Sequence, residues 1–469
     1  MIADLKRYTE YRESGLPWLG QVPAHWEIKR AKAILQGVDQ RSKTGKEELL
    51  TVSSARGIVP RNTATVTMFK AESYLGYKLC WPGDLVINSL WAWAGGLGVS
   101  SHHGIISSAY GVYRIRRSSE MIPAFLHEVV RSSSFNWELK VRSKGVWISR
   151  LQLTDVSFLD APMHIPPLAE QSAIVRFLDW ANGRLERAIR AKRKVIALLL
   201  EQKQAIIHRA VTRGLDPSVP LKPSGVPWIG DMPRHWEVRK MKSLVSTVGG
   251  MTPNKGVARF WEGRVPWVSP KDMKVREIAD SKDHITDAAL RATNVSLIQP
   301  PAVLIVVRGM ILARAVPSAV TTVPVTVNQD MKALIPRADM NASFLASLLT
   351  GIQRELLSLV EEAGHGTRCL RTDSWANLSV PLPPIPEQLR INEWLSSELA
   401  AANPAISRLE REIGLLREYL TRLVADVVTG KFDVREVAAR LPEEVAPDTV
   451  EDDTDLSDDT EPADEEVLA

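Results

Sequence analysis

Residues 14–27 read SGLPWLGQVPAHWE and residues 224–237 read SGVPWIGDMPRHWE. A phrase that combines Trp, Pro, Gly and His is improbable as a chance repetition, so an internal duplication is the first expectation. A second pair of matches supports it: PPLAEQ at 166–171 and PPIPEQ at 383–388, followed by VTRGLD at 211–216 and VTGKFD at 428–433. Both of these pairs are offset by 217 residues, leaving 39 residues between the anchors in each copy. A constant length between anchors suggests helices, where length is structural.

Alternating steps of four and three through the first copy pick out Ile174, Leu178, Ala181, Leu185, Ala188, Lys192, Val195, Leu199, Gln202 and Ile206. In the second copy they pick out Ile391, Leu395, Glu398, Ala402, Ala405, Leu409, Glu412, Leu416, Tyr419 and Leu423. A sustained 3.5-residue seam of this kind predicts a coiled coil. The proline pairs give each helix a start, and Gly214 and Gly430 give each a stop. Asn403-Pro404 interrupts the second copy and predicts a kink or restart there. The segment RLERAIRAKRK, residues 184–194, holds six basic residues, which read as a solvated face or one lying over phosphate or a partner.

The chain has 469 residues, 45% hydrophobic and 24% charged, the composition of a globular protein of two or more domains. Its longest apolar runs, such as Val195 to Leu200, fall far short of the ~20 residues that span a bilayer. The N-terminal MIADLKRYTEYRES lacks an apolar signal core, so a cytoplasmic protein is expected. Cys80 and Cys369 are the only cysteines and suggest neither a metal cluster nor a disulfide framework. The net charge of +4 conceals an asymmetry: residues 441–469 hold 13 acidic residues and no Lys or Arg, so the other 440 carry 59 minus 42, or +17. A body that basic suits a polyanion such as DNA, and the acidic end reads as a disordered tail.

Between the anchors lie two halves, about 28–160 and 238–377, similar in length and without obvious identity. ELLTVSS, GDLVINSL and AYGVYRIRR in the first, and GRVPWVSP, AVLIVVRGM and VTVNQDMKALIP in the second, alternate as strands and are followed by helical stretches, so each half is mixed α and β. NSLWAWAGGLG, residues 88–98, offers Asn88 and Ser89 as groups able to reach base edges, whereas Trp91 and Trp93 read as packing residues. SKGVWISR (143–150) and GHGTRCLR (364–371) occupy equivalent places before the two proline pairs, and their Lys144, Arg150, Thr367, Arg368 and Arg371 are candidate DNA contacts.

The sequence resembles the DNA specificity (S) subunits of Type I restriction-modification systems over about residues 11 to 437. The carriers are the duplicated PW–HWE phrase, the paired PPLAEQ and PPIPEQ helix starts, WPGDLVINSLWAWAGGLGVSSHHGIISSAYGVYRI in the first half, and GGMTPNK with FWEGRVPWVSPKDMK in the second. Asn254, Lys255 and Lys271, which stand in those last segments, complete the candidate DNA-binding set.

The resemblance implies an α+β protein with an internal pseudo-twofold repeat: two mixed α/β target recognition domains separated by two long conserved helices packed as an antiparallel coiled coil. The expected division is 1–160 (first recognition domain), 161–216 (first helix), 217–377 (second recognition domain), 378–437 (second helix) and 438–469 (tail). Its implied partners are double-stranded DNA, two methyltransferase (modification) subunits that bring S-adenosylmethionine, and restriction subunits that bring ATP-driven translocation and cleavage. Each domain would read one half of a split DNA sequence, the helices acting as a ruler.

No P-loop, zinc cluster or methyltransferase tetrapeptide is found, and the Glu-x-Lys triplets at 27–29 and 138–140 lack an evident partner carboxylate. A non-catalytic subunit with no cofactor of its own is therefore expected. The alternatives are a stand-alone nuclease or methyltransferase with an unrecognised active site, and a scaffold that binds only proteins.

Overall fold

Each copy of the duplicated phrase folds into the same small motif. A computed structural model describes residues 5–63, 73–145, 151–362 and 366–442. In the first copy Tyr11–Glu13 pairs antiparallel with Gln21–Pro23, and in the second Leu221–Pro223 pairs with Asp231–Pro233 in the same register. The reversal is made by glycines with left-handed φ near +70° at matching places, Gly15 and Gly20, then Gly225 and Gly230. Each motif runs into a short strand, Glu27–Arg30 or Glu237–Lys240, which pairs with the strand preceding its proline pair, Pro162–Ile165 or Ser379–Leu382.

The proline pairs start the long helices. The first, α1, is unbroken over Leu168–Arg213, 46 residues and about 70 Å at 1.5 Å per residue. The second is divided into α2 (Ile385–Glu398) and α3 (Ala402–Val428). The restart expected at Asn403-Pro404 is present: Pro404 sits in the first turn of α3, where its missing N–H has no intrahelical partner to lose.

The chain divides into two compact units, Met1–Ala191 with Arg411–Ala469, and Lys192–Glu410, so α1 and α3 each contribute to both. In the first unit Ile174, Phe177, Leu178 and Ala181 of α1 share a core with Leu423, Val427 and Val428 of α3. In the second, Leu199, Lys203 and Ile206 of α1 line a groove with Leu399, Ala402 and Ala405, and Lys203 Nζ donates to Asn403 Oδ1 at 2.7 Å. Early residues of α1 therefore meet late residues of α3 and late meet early, an antiparallel pairing.

The seam keeps every expected position as far as Leu185 and Leu395. Beyond them Leu199, Ile206, Ala402, Leu409, Leu416 and Leu423 keep theirs, while alternate positions move by one residue: Ile189, Ile196 and Lys203 are less exposed than Ala188, Val195 and Gln202, and Leu399, Ile413 and Leu420 less than Glu398, Glu412 and Tyr419. Val195 and Tyr419, expected in the seam, are 45% and 42% exposed. Each copy thus contains one step of four followed by another, 181–185–189 and 391–395–399. A helix of 3.6 residues per turn drifts away from a strict 3.5 repeat, and one such double step restores its phase.

In the first unit the sheet order is Leu35–Gly37, Gly111–Ile115, Leu85–Ile87, Leu97–Val99, all antiparallel. The strand Leu85–Ile87 is buried on both faces: Leu85 and Ile87 enter the core shared with the helices, while Val86 enters a smaller cluster with Leu50, Ile58 and Val112. The helix Pro123–Arg131 covers the first of these faces with Phe125, Leu126, Val129 and Val130.

The second unit has a five-stranded sheet, ordered Val245–Gly249, Met331–Pro336, Val303–Val306, Ser318–Thr321, Glu277–Ile278, with only the last pair parallel. The helix Ala342–Gly351 packs on it, its N-terminus capped by Asn341. A three-stranded sheet of Asp283–Ile285, Trp261–Val268 and Thr326–Val327 builds a separate cluster around Phe260, Trp267 and Ile285. At the chain end Ala438 and Leu441 are still buried, and Leu441 O accepts from Arg176; residues 443–469 of the acidic tail lie outside the described residues. Among the described residues no helix is long and apolar enough to cross a membrane.

Two outcomes follow from this packing. Ile189→Ala should lower the unfolding free energy by about 2 kcal/mol or more, whereas Val195→Ala should change it by less than about 0.5 kcal/mol; chemical denaturation of the two variants reads the seam directly. Burial, and secondarily the charge of Asp179, push the Glu128 carboxyl up from 4.5 to about 7. A raised carboxyl favours the folded state below its unfolded value, and that contribution disappears as pH rises to about 7. Glu128→Gln should therefore stabilise the fold above pH 7, by on the order of 2 kcal/mol, and give no gain below pH 4.5, as checked by unfolding across that range.

Candidate nucleic-acid interface

The repeated phrase and the repeated helix start meet at one carboxylate in each unit. Glu170, the acid of PPLAEQ, is buried and accepts from Trp26 Nε1 at 2.9 Å and Tyr8 Oη at 3.2 Å, with His25 Nε2 at 2.6 Å and Arg435 Nη1 at 3.3 Å. Glu387, the acid of PPIPEQ, accepts from Trp236 Nε1 at 3.0 Å and holds His235 Nε2 at 2.7 Å. Burial first, and then Glu170, raise the Tyr8 hydroxyl well above its ordinary range, keeping it a donor.

The neighbouring glutamine does a second, equally repeated job. Gln171 Oε1 accepts from Ile122 N and its Nε2 donates to Glu120 O and Pro166 O. Gln388 Oε1 accepts from Asn341 N and its Nε2 donates to Asp339 O and Pro383 O. Each Glu-Gln pair therefore fastens the entry phrase and the approach to a recognition-half helix to the start of a long helix.

In the first unit the structure brings Asn88, Ser89 and Lys144 together. Asn88 is buried, donating from Nδ2 to Tyr110 Oη at 3.1 Å and accepting from Leu90 N at 3.2 Å. Ser89 Oγ donates to Ala109 O, and its carbonyl accepts from Leu153 N at 2.9 Å. Lys144 is exposed on a short ladder with Gln152, the stretch that reaches Ser89 through Leu153. Arg150 lies outside the described residues. Asn88 is thus spent on shaping the loop, and the exposed groups around it are Leu90 and Lys144, with Trp91 and Trp93 stacked on each other at 6.0 Å and half-buried.

The second unit assembles the same three pieces from other residues. The loop after the strand Val303–Val306 meets the segment before the proline pair, with Gly309 N donating to Arg368 O at 3.0 Å and Leu370 N to Val307 O at 2.9 Å. Asp330 O accepts from Val307 N and Arg308 N, as Tyr110 and Ala109 approach the corresponding loop in the first unit. Met251 N donates to Val327 O, joining the loop that carries Asn254 and Lys255 to the Asn328–Asp330 turn. Trp267 Nε1 and Trp261 Nε1 pin that loop by donating to Met251 O and Asn254 O.

The charges here are partly matched. Arg368 lies 3.8 Å from Glu362, Arg371 lies 3.6 Å from Glu361, and Lys271 forms a 2.6 Å ion pair with Asp283. Thr367 is half-buried, Lys255 is exposed, and Asn254 Oδ1 accepts from Gly256 N. Met310, 69% exposed at the tip of the loop, and the Asn328–Asp330 turn stand beside these candidates and were not singled out from the sequence; the polar NQD directly before a buried strand was their only signal.

Two long helices bearing two mixed α/β halves, each with a loop cluster beside the helix start, define a class. Residues 233–407 match the family described as Type I restriction modification DNA specificity domain, so the second half carries that domain. Particular relatives are then the specificity subunit of the Type I restriction enzyme EcoR124I/EcoR124II of Escherichia coli, 32% identical over 273 residues, and that of the MjaIX enzyme of Methanocaldococcus jannaschii, 27% identical over 172 residues. The matches cover 58% and 36% of this chain, and span 62% and 39% of the relatives' own lengths. A solved structure described as "Structural basis underlying complex assembly and conformational transition of the type I R-M system" shares the fold, with a TM-score of 0.58 and 17% identity over 87% of this chain and 98% of that one.

The clamp predicts its own cost of removal. Glu170→Ala leaves buried indole and hydroxyl donors without an acceptor and should lower the unfolding free energy by about 2–4 kcal/mol; Glu387→Ala, with fewer partners, should cost less, and denaturant titration ranks the two.

Proposed function

We propose that this chain is the non-catalytic DNA-reading subunit of a Type I restriction-modification complex, acting in the cytoplasm. Each half reads one half-site of a bipartite sequence, and the chain scaffolds two modification subunits and the restriction subunits. The observation that carries this reading is the construction of one loop cluster twice, on equivalent elements, from different side chains. A common framework with unlike tips suits two readers of unlike sequences that attach to two copies of one partner.

The set for contact is the exposed Lys144, Lys255, Lys271 and Arg371 with the half-buried Thr367 and Arg368, while Asn88 and Ser89 shape the first loop and Asn254 the second. Arg368, Arg371 and Lys271 reach phosphate or base edges by exchanging a carboxylate partner for DNA, which lowers the net gain per contact and sharpens the dependence on fit. Affinity for duplex DNA should fall steeply as salt rises, because phosphate contacts release counterions.

Methylation mapping of the genome that encodes this chain and its partners tests the reading: the expected result is two short motifs at a fixed spacing. Inserting one heptad into each long helix should change the spacing and leave both motifs alone; altered motifs at unchanged spacing would overturn the ruler. Nuclease or methyltransferase activity of the purified chain alone, with DNA, magnesium and S-adenosylmethionine, would overturn the non-catalytic assignment.

A further inference from the structure

The loops that follow the central strands, 88–96 in the first half and 307–315 in the second, each contain glycine. The first contains Gly95 and Gly96, and the second contains Gly309 at φ +130°. In each half one polar side chain from the neighbouring helical layer closes the loop at its far end.

In the first half that side chain is Arg131, the last residue of the helix Pro123–Arg131. Its Nη1 donates to Leu97 O at 2.8 Å and Gly95 O at 3.4 Å, and its Nη2 to Ser54 O at 2.6 Å and Ala55 O at 2.8 Å. One planar guanidinium thus ties the loop 88–96 to the turn at 54–56, whose Arg56 is exposed. One helical turn earlier, His127 Nδ1 accepts from Val99 N at 3.2 Å. Burial and the charge of Arg131 hold this imidazole down to about 4, so it stays a neutral acceptor. The fit needs glycine on both facing strands: a Cβ at Gly57 or Gly98 would come within 3.0 or 3.3 Å of His127 Cε1.

In the second half the same end of the loop is Val316, which stands where Gly95 stands in the first. Asn88 N donates to Gly96 O and Val306 N donates to Pro317 O, so the residue before each acceptor, Gly95 or Val316, occupies the matching place. Gln353, which opens the short helix Gln353–Ser358, accepts from Val316 N at 2.8 Å and donates to Val316 O at 2.9 Å and Leu349 O at 3.1 Å. A guanidinium in one half and a carboxamide in the other therefore perform one task at one place in the fold.

We propose that Arg131 and Gln353 are matched positioning residues, each fixing the reading loop of its own half so that discrimination at that half-site, and only that one, depends on it. The inference rests on the two-half-site reading above. Neither side chain needs to touch DNA: a base contact discriminates only while its donor is held to within about 0.5 Å, and backbone clips of this kind supply that hold. The two clips differ in reach, since Arg131 joins two segments of the first half while Gln353 secures one loop to its own helical layer. Arg131→Lys keeps the charge but replaces a planar fork with a point ammonium unable to bridge four carbonyls. Gln353→Met keeps the length and removes every hydrogen bond.

The experiment is methylation mapping in cells carrying each single variant in place of the native chain. Arg131→Lys should relax one half-site by about tenfold or more, leaving the other half-site and the spacing intact, and Gln353→Met should do the reverse. Unchanged discrimination in both variants, or equal loss at both half-sites, overturns the proposal. If a variant abolishes methylation, hydrogen exchange on the purified full-length chain decides: faster exchange confined to residues 88–97 or 307–316 supports the clip, and unchanged or uniformly faster exchange sinks it. A native chain that yields no bipartite motif defeats the functional reading instead, and the same exchange measurement then judges the clips alone.

Discussion

The fold hangs on a carboxylate at the first turn of each long helix, buried at Glu170 and half-buried at Glu387. Glu170 and Glu387 each accept from an indole and an imidazole of the duplicated phrase, and a carboxylate taken out of water is tolerated only when its oxygens are satisfied. Placing an acid in a helix's first turn also sets it against the positive end of the backbone dipole. The two interactions explain why the phrase must bring His and Trp side by side and why it is written twice: each helix start needs its own pair of donors.

The copies differ where the chain ends intervene. In the first unit Tyr8 and Arg435 join the clamp, Lys6 pairs with Glu436, and Asp433 N donates to Lys6 O, so segments from opposite ends of the sequence complete one site. In the second unit the helix end and the next phrase are already joined covalently through residues 214–223, and the carboxylate makes do with His235 and Trp236. Side-chain contacts thus do for the first clamp what the peptide chain does for the second.

Above the clamps, the two mixed α/β halves share a frame and little else. A central strand buried on both faces, a loop, a turn before the next strand and a segment leading to the proline pair recur in each, while the side chains at the loop tips change from Leu90, Trp91 and Trp93 to Met310 and its neighbours. Rigid strands beneath replaceable loops let the loop surface vary without disturbing the core.

The sequence alone determined the duplication, two long helices with coiled-coil seams, the restart at Pro404 and the mixed character of both halves, because each is written in local spacing: repeated words, a 3.5-residue rhythm, a proline in a helical run. It located the seam fully as far as Leu185 and Leu395 and, beyond them, kept Leu199, Ile206 and Leu423 but missed alternate positions by one residue, since the drift of a 3.6-residue helix accumulates and only packing against a partner decides where it is reset. It marked Asn88 and Ser89 as base readers by residue type. Tertiary structure decided that Asn88 is instead bonded to Tyr110 and Leu90, and that Arg131 and Gln353 close the loops. Apart from the local bond from Leu90 N, those hydrogen bonds join residues 22 to 77 positions apart or bind backbone carbonyls that carry no sequence signature, and only a folded chain brings their partners within 3.4 Å.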